Sequence, residues 1–309
     1  MIRYPAFVAV HEVGPRDGLQ SFPRRVSTDV KVAMIDRLSA LGLPLIEATN
    51  FASPKYIPFL DDAEEVMRRI TRRPGTIYRG LAPNERGAQR AIAANVDEIL
   101  GLITVSETYL AKNQNVTIER GVAQAIEVFH AAAAAGKRFT MAVGMAMWCP
   151  YEGRIPEENV LALLDRFYAS GIRNFYLAGS MGMEDARHVG ALFSSVIARY
   201  SEATFGFHVH NMSGMATANI LAAIDAGASS LEGSICGIGG GIKTTATGNL
   251  PTEDLVHMLS ELGIDTGVQL AEVVAAAREI AAMLDITPES YVTRNGTRAE
   301  ILERGKVVA

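Results

Sequence analysis

The sequence predicts an α/β fold: a (β/α)8 TIM barrel with extra C-terminal helices. Three observations predict it. A unit made of an amphipathic helix, a glycine and a short apolar strand recurs along the chain. Eight short apolar segments alternate with helical ones, which implies a parallel sheet. No Pro/Gly/Ser-rich linker divides the 309 residues, and barrels of about 250 residues or more form one unit.

In chain order, the first unit is a helix over Thr28–Leu41, then Gly42, then the strand Pro44-Leu45-Ile46-Glu47-Ala48. In the second, a helix over Pro156–Ser170 precedes Gly171 and Asn174-Phe175-Tyr176-Leu177-Ala178. There Val160, Leu163, Leu164 and Phe167 fall at i, i+3, i+4 and i+7, a single buried stripe. Pro156 suits the first helical turn and Gly171 the left-handed residue after the last. The third has a helix over Met215–Ala226, Gly227, and Ser230-Leu231-Glu232-Gly233-Ser234. The eight strand candidates are Phe7–Val13, Leu45–Ala48, Thr76–Leu81, Glu98–Thr104, Phe139–Met145, Asn174–Ala178, Thr204–Val209 and Ser230–Ile235. The expected organisation is a single catalytic domain over 1–309, with the barrel over about 5–262 and a helical extension over about 263–309. Val268–Leu284 reads as an extra helix, and the polar end of the chain is expected to be less ordered. The alternative is a doubly wound open sheet. A dinucleotide-binding version is weakened because Gly237-Ile238-Gly239-Gly240-Gly241-Ile242 lacks the last glycine of G-x-G-x-x-G.

The composition narrows the function. The chain is 49% hydrophobic and 20% charged, enough for one large core and too apolar for disorder. A formal charge of −5 and a pI near 5.8, with no basic block, argue against nucleic acid and anionic membranes as partners. The longest stretch without Asp, Glu, Lys or Arg, Ala203–Ile224, contains His208, His210, Asn211, Ser213 and Asn219, so it is not a membrane span. The N-terminal residues have no apolar signal-like core. Two distant cysteines, Cys149 and Cys236, make no disulfide framework and point to a reducing, cytoplasmic setting; both read as packing residues.

The unusual polar residues fall at strand ends, where barrels place their chemistry. Arg16 and Asp17 follow the first strand, Glu47 ends the second, His208 and His210 end the seventh, and Asn249 lies in the loop after the eighth. His208 and His210 stand at i and i+2, so both imidazoles face the same way. With Asp17 they form a two-His-one-carboxylate set, open to substrate oxygens, to which Asn249 can add a carbonyl. Such oxygen-rich coordination favours Mg²⁺ or Mn²⁺ over structural zinc. The competing reading is a pair of hydrogen-bonded histidines. Arg16 is either one half of a loop ion pair with Asp17 or a fixed cation for a developing enolate. Glu47, a carboxylate on an apolar strand, either pairs with Arg16 or handles a proton. The glycines at 237 and 239–241 make either a tight loop or a cradle for an anion.

These motifs resemble the hydroxymethylglutaryl-CoA lyase family, within the superfamily of metal-dependent barrel lyases and Claisen-condensing enzymes. The resemblance runs from Val10 to about Gly267. It is carried by Glu12-Val13-Gly14-Pro15-Arg16-Asp17-Gly18-Leu19-Gln20, by Ile46-Glu47-Ala48-Thr49-Asn50-Phe51-Ala52-Ser53-Pro54-Lys55, by Ser106-Glu107 with Lys112-Asn113, by Cys149-Pro150-Tyr151-Glu152-Gly153, by His208-Val209-His210, and by Gly248-Asn249-Leu250-Pro251-Thr252-Glu253-Asp254. It implies that Asp17, His208, His210 and Asn249 hold the divalent cation. Arg16, Asp17, Glu47 and His208 are the implied catalytic set, and Arg16, Ser180, Lys112 and Asn113 the implied substrate contacts. The implied reaction cleaves a 3-hydroxy-3-substituted acyl-CoA to an acyl-CoA and a 3-oxo acid, in a homo-oligomer, a dimer by resemblance.

Three positions depart from the family pattern. The catalytic cysteine position is Gly241, the Asp of the sixth-strand motif is Gly179, and the fifth-strand tyrosine position is Ala142. Together these departures predict little turnover of hydroxymethylglutaryl-CoA itself. Two further functions compete with the lyase: a Claisen-type synthase or other metal–enolate enzyme, and a non-catalytic barrel that binds metal and acyl-CoA.

Overall fold

A computed structural model describes residues 4–239 and 248–308. Eight parallel strands close into a barrel: β1 (Ala9–Glu12), β2 (Leu45–Asn50), β3 (Ile77–Leu81), β4 (Glu98–Thr104), β5 (Arg138–Gly144), β6 (Asn174–Gly179), β7 (Thr204–Val209) and β8 (Ser230–Gly233). Each strand pairs with its sequence neighbours, and β1 closes the ring against β8 through Ala9–Ser230 to Glu12–Gly233. The register shifts between Glu47 and Thr49, where β2 meets β3.

A helix follows each strand: α1 (Thr28–Ser39), α2 (Ala63–Arg69), α3 (Glu85–Ala93), α4 (Ile118–Ala134), α5 (Glu157–Ala169), α6 (Ala186–Arg199), α7 (Ala216–Ala226) and α8 (Thr252–Glu261). Their apolar stripes cover the outside of the sheet. The α5 stripe of Val160, Leu163, Leu164 and Phe167 is wholly buried, as its spacing predicts. Ser27, Asn84, Thr117 and Asp185 start their helices by accepting a backbone N–H three residues on, the usual answer to the unpaired donors of a first turn. Gly42, Gly171 and Gly227, which follow the helices of the three repeated units, all have positive φ, so each sharp exit from a helix uses a residue without a Cβ.

Several boundaries differ from the sequence expectation. Phe7 pairs with Asp265 instead of extending β1. Pro156 caps α5 with an extended backbone rather than entering its first turn. Met145 stands past the end of β5 with a left-handed backbone. β8 stops at Gly233, because Ser234 turns to pair with Pro251 and Cys236 adopts a φ of 61°. The extra helix is α9 (Leu270–Leu284), tied to α1 by the Arg37–Glu279 ion pair at 2.6 Å. The end of the chain, expected to be less ordered, is helical in α10 (Tyr291–Asn295) and α11 (Arg298–Val308). Asp254 of α8 anchors this end by accepting from Ser290 Oγ and from the N–H groups of Tyr291 and Val292. Among the described residues no helix is long and apolar enough to cross a membrane.

Candidate active site

The chain leaves β1 in a wide turn, Gly14–Gly18, in which the carbonyl of Val13 receives the N–H groups of Arg16 and Asp17 at 3.1 and 2.7 Å. This turn carries Arg16 and Asp17 over the C-terminal mouth of the barrel. His208 is the last residue but one of β7, and His210 lies one step beyond the strand, bridged to Asn249. The structure thus gathers Asp17, His208 and His210, distant in sequence, so that one ligand atom from each lies within 4.8 Å of the others.

The groups around this cluster fix its charge state. Asp17 Oδ1 receives Arg16 Nη1 at 2.7 Å, and Oδ2 lies 3.6 Å from His210 Nε2. Burial works against the Asp17 carboxylate, but the charge of Arg16 and the hydrogen bond from His210 outweigh it, and the acid stays well below its usual range. His210 is pushed down, chiefly by burial, which favours the neutral, ligating imidazole. His208 is pushed up: burial opposes its charge, but the bond to Glu232 and that residue's negative charge prevail. His208 Nδ1 is 2.9 Å from Glu232 Oε2, so Nε2 is the nitrogen left for a ligand. Asn249 Nδ2 donates to Asp17 Oδ2 at 2.8 Å. Half a turn of that amide exchanges the donor for the carbonyl oxygen that a cation needs. An ionised carboxylate, two imidazoles and an adjacent amide are a donor set that fits a divalent cation.

Glu47 lies between two guanidinium groups. Oε1 receives Arg16 Nε, and Oε2 receives Arg79 Nη2 at 2.6 Å. Of its two sequence readings, the geometry is that of an ion pair, with both oxygens engaged. Arg79, fully buried in the barrel interior, also meets Glu232, lies 3.7 Å from Glu98 and stacks over Tyr176 at 5.1 Å. Arg16, Glu47, Arg79, Glu232 and His208 therefore form a continuous charged chain beneath the mouth.

The remaining expected residues lie on other loops. Ser180, just past β6, accepts the N–H of Met145 with Oγ at 3.0 Å. Lys112 and Asn113 sit on an exposed helical turn after β4, Leu110–Gln114, where both engage Tyr151 rather than the metal candidates: Lys112 Nζ lies 4.5 Å from its ring centroid and Asn113 Nδ2 3.3 Å from its hydroxyl. Gly241 falls outside the described residues. Cys236 is not on β8 but in the turn after it; its Sγ donates to the carbonyl of Ala277 at 3.2 Å. Sequence reasoning missed Arg79 and Glu232. The signal was the one used for Glu47, a charged residue inside an apolar strand.

A sequence model of the HMGL-like family matches residues 8–280. The chain is 37% identical over 292 residues to a Bos taurus protein named hydroxymethylglutaryl-CoA lyase, mitochondrial, covering 94% of this chain and 90% of that one. It is 38% identical to the protein of that name from Gallus gallus, over 96% and 99% of the two chains. Among solved structures, an HMG-CoA lyase from Acinetobacter baumannii, in complex with coenzyme A and 3-methylmalate, superposes with a TM-score of 0.91 at 35% identity, covering 97% of this chain and 98% of that one. An HMG-CoA lyase from Bacillus subtilis superposes with a TM-score of 0.91 at 33% identity, covering 94% and 98%.

Proposed function

The chain belongs to the HMGL-like family, and on that premise we propose that it is a divalent-metal-dependent carbon–carbon lyase. It cleaves a 3-hydroxy-3-substituted glutaryl-CoA to an acyl-CoA and a 3-oxo acid. The observation that carries the proposal is the Asp17–His208–His210 cluster with the carboxylate-held guanidinium of Arg16 beside it.

Asp17, His208, His210 and Asn249 would hold Mg²⁺ or Mn²⁺. When bound, the cation supplies Lewis-acid polarisation, lowering the pKa of the substrate's tertiary hydroxyl. The rest belongs to the protein. Loss of the hydroxyl proton turns that oxygen into a carbonyl, the C2–C3 bond breaks, and its electron pair passes into the thioester enolate. Arg16, fixed between Glu47 and Asp17, presents a preorganised positive charge to the enolate oxygen. Glu47 and Arg79 hold the Arg16 side chain in place, and Glu232 sets the orientation of His208. A proton delivered to C2 completes the acyl-CoA.

The relatives reported above carry lyase names, which favours cleavage over the condensing direction and over a non-catalytic barrel. The same names revise the expectation that hydroxymethylglutaryl-CoA would be a poor substrate. One of the three absent side chains, that at Gly179, is also replaced in space by another carboxyl. The test is to incubate purified protein and Mg²⁺ or Mn²⁺ with a panel of 3-hydroxyacyl-CoAs, hydroxymethylglutaryl-CoA first, and to identify products by mass spectrometry. Metal-dependent release of an acyl-CoA and a 3-oxo acid supports the proposal; intact substrates throughout the panel refute it.

A further inference from the structure

The resemblance puts an Asp at position 179, at the end of β6, where this chain has Gly179. The space beside that glycine is filled. A Cβ placed on Gly179 would lie 2.1 Å from Glu184 Oε1 and 2.5 Å from its Cδ. Glu184, on the loop between β6 and α6, thus reaches back and lays its carboxyl against the bare backbone of Gly179. Asn219 of α7 anchors it, its Nδ2 donating to the Glu184 carbonyl at 2.9 Å.

The carboxyl is 2% exposed by residue and only half engaged. Oε2 accepts the N–H of Met183 at 3.1 Å, while Oε1 has no hydrogen-bond partner among the described residues. A buried, unpaired acid oxygen is costly to keep, and such groups concentrate where a ligand completes them. Burial pushes this acid up to about 7, against the pull of the nearby N–H groups of Met183 and of Glu184 itself and of the charge of His208. The same stretch of backbone touches the metal candidates, because the carbonyl of Gly179 accepts the N–H of His210 at 3.2 Å.

We propose that Glu184 supplies, from the loop, the carboxyl that the strand-end Asp supplies in the family, and that its unpartnered Oε1, shut off from solvent in the free chain, turns to hydrogen-bond the bound substrate. Positions 179 and 184 are then a linked pair: the site holds one carboxyl, and a side chain at 179 would displace the Glu184 carboxyl from the place it occupies here. The proposal rests on the lyase reading above.

The test compares hydroxymethylglutaryl-CoA cleavage and thermal stability in the wild type, Glu184→Gln, Glu184→Ala, Gly179→Asp and the double variants Gly179→Asp/Glu184→Ala and Gly179→Asn/Glu184→Ala. Glu184→Gln keeps the shape and is expected to keep Tm while losing about tenfold or more in kcat/KM, the scale of one hydrogen bond to a charged group. Gly179→Asp alone is expected to lower Tm, because its Cβ meets the Glu184 carboxyl. The double variant Gly179→Asp/Glu184→Ala is expected to recover both Tm and most of the activity. Wild-type kcat/KM in Glu184→Gln would overturn the proposal. So would equal rescue of Glu184→Ala by Gly179→Asn, since that would make the group a space-filler. If Glu184→Ala does not fold, Glu184→Gln alone decides. An inactive wild type is a separate result, seen before any variant: it overturns the lyase reading and this proposal with it.

Discussion

His208 Nδ1 lies 2.9 Å from Glu232 Oε2, across the β7–β8 pair and inside the barrel. Glu232 is itself held by Arg79, and the bond to His208 leaves Nε2 of the imidazole facing the mouth. Carboxylates behind a ligating histidine fix its tautomer and typically contribute 10- to 100-fold in metal affinity. Glu232→Gln is therefore expected to weaken Mn²⁺ binding by about that factor in calorimetric titration. An unchanged dissociation constant would count against a metal-directing role.

Removing the imidazole itself has a larger expected effect. His208→Ala should leave purified protein with little bound divalent metal by elemental analysis, since His208 is one of three ligand atoms within 4.8 Å. Metal content equal to the wild type would show that the cation, if any, binds elsewhere.

Arg16 is expected to act on the transition state. Its guanidinium is buried and held by two carboxylates, so its charge is in place before an enolate develops. Arg16→Met should lower kcat by about 10²–10³, with a much smaller effect on KM. A rise in KM with kcat intact would make Arg16 a binding residue instead.

Cys236 is expected to be dispensable. Burial, the main cause, with the neighbouring charges of Glu253 and Glu12 raises its thiol far above the usual range. The sulfur donates inward to the carbonyl of Ala277, so little thiolate forms at neutral pH. Cys236→Ser should keep most of the lyase activity. Loss of activity with the fold intact by circular dichroism would give the thiol a role.

Stability is expected to fall as pH rises because of Glu253. Burial pushes this acid from its ordinary 4.5 to about 8. The folded chain keeps a proton that the unfolded chain releases, so the contribution is full below 4.5 and is lost as pH approaches 8. Glu253→Gln has no proton to lose, and its Tm should fall less across that window. Parallel Tm–pH curves for the two proteins would contradict the assignment.

The barrel was legible because its apolar periodicity and helix-ending glycines are local signals. The positions of the eight strands follow from them, with errors at ends where a tertiary partner intervenes, such as Asp265 for Phe7 and Pro251 for Ser234. The grouping of Asp17 with His208 and His210 was legible too, because i, i+2 geometry and strand-end placement are properties of the fold class. What supports that group was not. Arg79 and Glu232 are neighbours only once the barrel closes, and the relation of Glu184 to Gly179 depends on how one loop turns back. Lys112 and Asn113, assigned by resemblance, lie on a helical turn where both side chains meet Tyr151.

The central claim is that a cation held by Asp17, His208 and His210 is required for carbon–carbon cleavage. The most direct measurement is to titrate Mn²⁺ into metal-stripped protein, following bound Mn²⁺ by electron paramagnetic resonance and hydroxymethylglutaryl-CoA cleavage in the same samples. The account predicts one bound ion per chain and a cleavage rate that rises in proportion to it. Full cleavage in the stripped protein, with chelator present and no ion bound, would contradict it.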